Sequence, residues 1–280
     1  MANKKPKMVL TEDNYFSVEA EMEYMGSTQF KNFMKCERDA LNKITNPEPP
    51  TTAMLVGSYV DAYFTGEIDK FKVEHPEIFK KDGTLLSNFV QANDIIQAIE
   101  DDPMFKSYIS GDNQKIMVGE IAGVPFKIKV DSLLEHTIVD LKCMSSIYDL
   151  EWKQDSKGNY YKADFVDTFG YDIQGAIYQE IVRQNTGEKM PFVLAVATKE
   201  KNPDRMLIQI DQEYLDRALE LVRELAPHFD LVKQGIVPPL SCGKCATCRA
   251  THKVTQVVSY KDLFHKDNGE QDTNYWASAR

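Results

Sequence analysis

Strand patterns interleaved with helical ones predict an α/β fold built as one continuous unit. Three observations carry that prediction. Gly123 to Glu135 places Val124, Phe126, Ile128 and Val130 on one parity and Lys127, Lys129 and Asp131 on the other, the pattern of a half-buried strand. Helical patterns precede it over 27–45, 53–65 and 88–100 and follow it from Tyr171 to Gln184. Two more strand candidates, Pro191 to Ala197 and Met206 to Ile210, lead into an amphipathic helix with Leu215, Leu219, Val222 and Leu225 along one side.

Taken in order, Ile116 to Glu120 is a strand ahead of the half-buried one, with Glu120 at its end. His136-Thr137 is a short connection, and Ile138-Val139-Asp140-Leu141-Lys142 is the β-branched return strand of a hairpin. Side chains two apart in a strand point the same way, so Asp140 and Lys142 share a face. The hairpin brings Asp131 to the start of that return strand. Ser145 to Asp164 is a polar excursion too long for a tight connection; it includes Trp152, Lys153, Asp155, Lys157, Tyr160 and Tyr161, aromatics that stack on bases or pack on the domain. In the helix that follows, Gln174 and Tyr178 are neighbours at i and i+4, and Ile173, Ile177 and Ile181 form the stripe that packs on the sheet.

Two carboxylates and an ammonium in one small volume suit phosphodiester hydrolysis. Asp131 and Asp140 offer the hard oxygen ligands that Mg²⁺ or Mn²⁺ prefers, and Lys142 can orient the attacking water or offset transition-state charge. The plain alternative is a surface hairpin with solvated cross-strand charge pairs.

Asp131, Asp140-Leu141-Lys142 and Gln174-Gly175-Ala176-Ile177-Tyr178 together resemble the PD-(D/E)XK nuclease superfamily, in which an acid, an acid-x-lysine and a helix with Gln-x-x-x-Tyr form the core. Within it the chain is similar to the phage and prophage exodeoxyribonuclease VIII (RecE-like) group and its RecB-type relatives. The likeness covers roughly residues 25–250. It implies a restriction-endonuclease-like core, a central mixed β-sheet flanked by helices. It also implies that 27–250 is the nuclease domain, with 1–26 an N-terminal extension and 251–280 a polar tail, mobile from Val254 onward. Ser27-Thr28-Gln29-Phe30 running to Cys36 matches an early helix of these families. Gly57-Ser58-Tyr59-Val60-Asp61 matches a second helix that follows a glycine and bears a metal ligand, with Asp61 where a histidine is common. Gln174 and Tyr178 would position the nucleophile or the DNA backbone. Glu120 is a further candidate ligand, or a surface acid at a strand end.

Cys242-Gly-Lys-Cys245-Ala-Thr-Cys248 is the other dense motif. Clustered cysteines in a reducing compartment usually bind metal, and three need a fourth ligand. Cys36 matches the lone early cysteine of nucleases similar to the AddB and CRISPR-associated exonuclease branch, where one early and three late cysteines hold a four-iron, four-sulfur cluster. The spacing here departs from the longer last gap of that branch. His252 is the local alternative, giving a Cys₃His zinc site. Iron–sulfur through Cys36 is the first expectation, zinc the second and a metal-free knuckle the third. Cys143, directly after Lys142, is expected to pack beside the acids.

The 280 residues allow one large or two small domains, and 42% hydrophobic content is enough for a sizeable core. No run approaches the roughly 18 apolar residues of a membrane span. Met-Ala-Asn-Lys-Lys-Pro-Lys lacks the apolar stretch of a secretory signal, which points to the cytoplasm. A net charge of −10 argues against nucleic-acid binding over the whole surface, so contact with DNA has to be local. Lys127, Lys129 and Lys142 flank the acids, and Lys31, Lys35 and Arg38 lie on the early helix.

The expectation is a Mg²⁺-dependent exodeoxyribonuclease acting from DNA ends in phage recombination or repair. The resemblance also implies a homo-oligomeric ring and a single-strand annealing protein as partner. The alternatives are a structure-specific endonuclease and a noncatalytic, metal-stapled DNA-binding or adaptor module of the same fold.

Overall fold

In chain order, the short helix α1 (Val18–Glu23) leads into α2 (Ser27–Lys35) and α3 (Glu37–Thr45), followed by α4 (Thr52–Phe64), α5 (Ile68–Glu74), α6 (Ser87–Glu100) and α7 (Pro103–Tyr108). The hairpin β1 (Asp112–Ile121) and β2 (Val124–Leu134) runs on into β3 (Thr137–Met144). A small hairpin, β4 (Glu151–Gln154) and β5 (Tyr160–Ala163), and helices α8 (Phe165–Phe169) and α9 (Tyr171–Thr186) follow. The strands β6 (Phe192–Thr198) and β7 (Arg205–Gln209) and the helices α10 (Gln212–Lys233) and α11 (Ala246–Thr251) are the last elements among the described residues. The structure is a computed structural model that describes residues 8–154 and 158–259. Asp155 and Lys157 of the polar excursion, and the tail from 260 on, lie outside the described residues.

The central sheet has the order β1-β2-β3-β6-β7, with β3 and β6 parallel and the other neighbours antiparallel. This is the expected mixed sheet flanked by helices. A parallel pair needs a long crossover, and α9 supplies it. All seven residues of β6 are buried, as expected of a strand covered on both faces. One face packs Phe30, Phe33, Ile173, Ile177, Ile181, Val222 and Phe229 from α2, α9 and α10 against Phe126, Ile128, Val130, Leu194 and Val196. The other packs Val56, Val60, Ile95 and Ile99 from α4 and α6 against Val139, Val193 and Ala195.

Local chemistry sets the element ends. Thr51 caps α4 by accepting from the Met54 N–H, and the left-handed Gly170 (φ 62°) and Gly187 (φ 84°) bracket α9. Gly175 lets α9 lie close to the sheet, since a Cβ there would stand 2.6 Å from the Phe192 ring.

Three expectations need correction. The helix expected over 27–45 is two helices, broken at Cys36, whose backbone is extended (φ −169°, ψ 113°). That one residue redirects the chain so that α3 packs on α11. Gly57 does not precede its helix but lies inside α4, where it faces Cys143 of β3. The excursion after β3 is not a plain loop but folds back as the β4–β5 hairpin.

The strand alternation of β2 also changes where it matters. Phe126, Ile128 and Val130 share the α9-side core, as does Leu133, whereas Leu134 joins the other core. The parity therefore switches between Val130 and Leu133, around Asp131. The β2–β3 ladder pairs only Ser132, Leu133 and Leu134. Below it the edge of β2 is covered by Met25, whose N–H donates to the Pro125 carbonyl and whose carbonyl accepts from the Lys127 N–H.

Candidate active site

The two acids of the hairpin stand where β2 and β3 part. Ser132 pairs with Val139, so the next positions in register are Asp131 and Asp140, and the ladder stops there. Like charges directly opposite one another destabilise a strand pair. The Leu141 N–H, freed from the ladder, donates to Asp131 Oδ2 at 2.9 Å. Opposite Asp131 on the β1 side, Gln114 adopts a left-handed backbone (φ 54°), a conformation uncommon for a non-glycine residue and found disproportionately at functional sites. Its amide reaches both oxygens of Asp61, at 3.2 and 3.0 Å.

Asp140 is only 1% exposed. Its Oδ1 accepts from Gln174 Nε2 at 2.7 Å, while Oδ2 faces the Lys142 ammonium as an ion pair and has no further partner. An oxygen at such a position is the chemistry a divalent cation completes. Tyr178, four residues after Gln174 in α9, donates to the Lys129 carbonyl at 3.1 Å and so ties β2 just ahead of Asp131. Gln174 and Tyr178 are both buried.

The electrostatics match this crowding. Burial, and then the Asp140 charge, push the Asp131 carboxyl well above its ordinary range. Burial likewise lifts Asp61 to about 6, partly offset by Lys129 and Lys142. For Lys142, burial works against the charge, but Asp140 and Asp131 outweigh it and hold the ammonium above its usual value. Burial pushes the Cys143 thiol up to about 12, so it packs as a neutral group against Gly57 of α4.

The structure thus brings Asp61, Asp131, Asp140, Lys142, Gln174 and Tyr178 together, and a small cavity lined by Asp61, Asn113, Asp131, Ser132 and Leu141 opens beside them. Lys129 joins them next to Asp61, with its ammonium 5.7 Å from the Phe16 ring. Glu120 does not. It pairs with Pro125 beside the β1–β2 turn, six residues along β2 from Asp131, roughly 20 Å at about 3.3 Å per residue. Lys127 is 1% exposed, with its ammonium on Glu21 and the Tyr15 carbonyl, so it has no charge to present to DNA.

Two contributors escaped the sequence reading. Gln114 gives no local signal, because a backbone outlier inside a strand has no pattern. Lys31 of α2 was visible only as one of several basic residues. Its ammonium donates to the Phe169 carbonyl at 3.0 Å and stands 5.7 Å from the Tyr171 ring, whose other visitor is Lys142 at 5.6 Å. Burial and then Lys142 lower its pKa to about 8.

A more open cleft lies on the outer side of α9 and α10, but there Arg183 pairs with Glu180, Lys189 with Asp216 and Arg223 with Glu220. Mutual pairing leaves it little unbalanced charge.

The cysteines form the second centre. Cys36, Cys242, Cys245 and Cys248 place their sulfurs within 4.8 Å of one another. His252 is exposed and outside the group, so the early cysteine and not the local histidine completes the set. Among the described residues this is the one group of three or more thiol, imidazole or carboxylate donors that converges so tightly.

Comparison with known proteins agrees with this geometry. Residues 26–251 match the family described as a PDDEXK-like domain of unknown function (DUF3799). A crystal structure of a "putative exonuclease" from Eubacterium rectale is similar at 46% identity and a TM-score of 0.86, over 92% of this chain and 99% of that one. No curated protein sequence matches. Among the described residues no helix is long and apolar enough to cross a membrane. The match spans both centres, from the helix bearing Lys31 to the last cysteine, and the chain belongs to the PDDEXK-like family DUF3799.

Proposed function

We propose that this protein is a divalent-metal-dependent deoxyribonuclease that degrades DNA from its ends. The observation that carries the reading is the placing of Asp131 and Asp140 just where the β2–β3 ladder ends, with Lys142 held against Asp140 and Gln174 against its other oxygen. The E. rectale relative described as an exonuclease supports it further.

Asp131, Asp140 and Asp61 are the residues that would hold Mg²⁺ or Mn²⁺. Bound there, the ion would supply Lewis-acid polarisation of the scissile phosphate and lower the pKa of a bound water. The remaining work belongs to the chain. The Leu141 N–H and the Gln174 amide fix the rotamers of the two hairpin acids, as orienting partners of metal ligands do. Lys142 brings positive charge to where the pentavalent phosphorus gathers negative charge. Gln114 holds Asp61 toward the same volume.

The β4–β5 hairpin is the surface we assign to the substrate. Trp152, Gln154, Tyr160 and Lys162 share one face because Trp152 pairs with Lys162 and Gln154 with Tyr160. The opposite face is tied down by Lys153 and Tyr161, which both bond Asp167. Trp152 is 66% and Tyr160 70% exposed, with the Lys162 ammonium 5.5 Å from the Trp152 ring. Aromatics left in water beside a cation suit stacking on unpaired bases. The hairpin sits in the chain between Lys142 and Gln174, and its β5 strand packs on α8, the helix directly ahead of α9. Replacing Trp152 with Ala should weaken single-stranded DNA binding by roughly 1–3 kcal/mol.

The setting in phage recombination or repair, in the cytoplasm, beside a single-strand annealing protein and as a ring, is supported by family resemblance alone. The test of the central reading is digestion of end-labelled linear and closed-circular DNA with Mg²⁺, Mn²⁺ or EDTA, comparing wild type with Lys142→Ala. Metal-dependent loss of the linear form alone, absent in the variant, is expected. Cutting of the circle would replace the exonuclease with an endonuclease. Inertness of the wild type toward both, with DNA binding retained, would favour the noncatalytic module.

A further inference from the structure

We infer that Cys36, Cys242, Cys245 and Cys248 hold one tetrahedral zinc ion as a structural staple, and not an iron–sulfur cluster. The inference stands apart from the nuclease reading, because it concerns donor atoms at a separate place in the fold.

Distance decides it. Four thiolates about 2.3 Å from a single zinc ion stand roughly 3.8 Å from one another at the corners of a tetrahedron. Here Cys36 and Cys248 sulfurs are 3.6 Å apart, Cys36 and Cys245 3.8 Å, and Cys242 and Cys248 3.9 Å. No pair in the quartet exceeds 4.8 Å. A four-iron cubane takes each thiolate on a separate iron at an outer corner, which spreads the sulfurs wider than this. Four sulfur ligands with no open position also describe a structural rather than a catalytic zinc site.

The backbone is arranged for thiolates. The N–H groups of Lys244 and Cys245 donate to Cys242 Sγ at 3.4 and 3.3 Å, and the Cys248 N–H donates to Cys245 Sγ at 3.4 Å. These bonds share out the negative charge that four thiolates around one dication leave behind. A polar latch backs the metal. Glu37, 1% exposed, accepts from the Leu240 N–H at 2.7 Å and bonds His228 at 2.8 Å, while Thr247 donates to Asp39 at 2.5 Å.

The staple has a consequence for the other centre. Cys36 directly follows α2, and Lys31 lies five residues earlier, about 7.5 Å along the helix axis. Zinc therefore anchors one end of the helix whose lysine touches the Phe169 carbonyl and the Tyr171 ring.

The experiment is elemental and sulfide analysis of protein purified anaerobically from medium containing both iron and zinc. The expected result is a colourless protein with one zinc per chain, no acid-labile sulfide and an unchanged zinc ratio in His252→Ala. In Cys248→Ser the ratio falls toward zero. Cobalt exchanged into the wild type should give the visible d–d bands and thiolate charge-transfer band of a tetrahedral sulfur site. Iron and sulfide in cluster amounts, with broad visible absorption, would overturn the inference. So would a metal-free wild type with freely reactive thiols, or loss of zinc in His252→Ala. The wild-type measurement decides the matter even where Cys248→Ser fails to fold, and a protein inactive on DNA would leave it unaffected.

Discussion

Four sulfurs around Cys36 lie within 4.8 Å of one another and form a metal-ligating group, whereas Asp61, Asp131 and Asp140 form none so tight and have the Lys142 ammonium against one of them. The two centres differ in what their ligands cost to assemble. Burial raises the Cys36 and Cys245 thiols and keeps their protons on, so the four sulfurs close up with only part of their charge before any ion arrives. Carboxylates are charged at neutral pH, and two unit charges 4 Å apart repel by about 4 kcal/mol at an effective dielectric near 20. The acid centre therefore needs an internal cation, a Gln114 amide on Asp61, a Gln174 amide on Asp140 and a backbone N–H on Asp131 to hold its shape. One centre is built to be closed by its ion; the other keeps an unsatisfied oxygen.

The sharpest way to break this contrast is to exchange the consequences. Lys142→Ala should cut DNA turnover by roughly 10²–10³-fold and lower the thermal midpoint of the metal-free protein, because it leaves the buried Asp140 carboxylate without its counter-ion; Mn²⁺, which offsets the same charge, should recover most of that loss. Cys248→Ser should lower Tm by roughly 5–10 °C, a loss of a few kcal/mol for a chain of this size, and Mn²⁺ should not recover it. Calorimetry and a turnover assay on both proteins check the pair. If Lys142→Ala keeps full turnover, or if Mn²⁺ restores the stability of Cys248→Ser and not that of Lys142→Ala, the roles assigned to the two centres are wrong.

A finer cut separates holding an acid from being one. Gln174→Ala leaves every ligand in place and removes the donor to Asp140 Oδ1, so Mn²⁺ affinity or turnover should fall by roughly 10–100-fold. Titration with Mn²⁺ under isothermal calorimetry measures it, and an unchanged affinity and turnover would make the bond incidental.

The smallest expected effect is in pH. Burial raises Asp61 to about 6 in the folded protein without metal, so it carries a proton below that pH and loses it above. Metal must displace that proton. Affinity for Mn²⁺ should therefore weaken as pH falls from 7.5 through 6, and Asp61→Asn should flatten this part of the profile. For stability the sign is opposite to that of a salt-bridged acid. The unfolded carboxyl ionises near 3.8 and the folded one near 6, so Asp61 costs the metal-free protein stability progressively from pH 3.8 to 6 and fully above it.

Much of this architecture was legible along the chain. The β1–β2–β3 meander, α9 with its Ile173, Ile177 and Ile181 stripe, and the closing α10 follow from period alone, because each buries one face. Asp131, Asp140 and Lys142 were legible for the same reason: they are near in sequence, on strands whose turn is short. Where local pattern misled, a distant partner was responsible. Lys127 has the parity of a solvent-facing residue, yet Glu21 and the Tyr15 carbonyl cover it. Glu120 reads as an acid near the site, but register carries it to the far end of the hairpin.

By itself, then, the order of residues determined most of the element types, the mixed α/β class and the donor types of the two centres, since period, turn chemistry and donor type are local properties. Only the tertiary structure decided which of Cys36 and His252 completes the cysteine set, that the helix over 27–45 must break to bring that thiol in, and that Gln114 and Lys31 belong with the acids. Those outcomes turn on contacts between segments tens to hundreds of residues apart, such as Cys36 with Cys248 and Asp61 with Gln114. No one-dimensional pattern carries the packing of two core faces that brings such segments together.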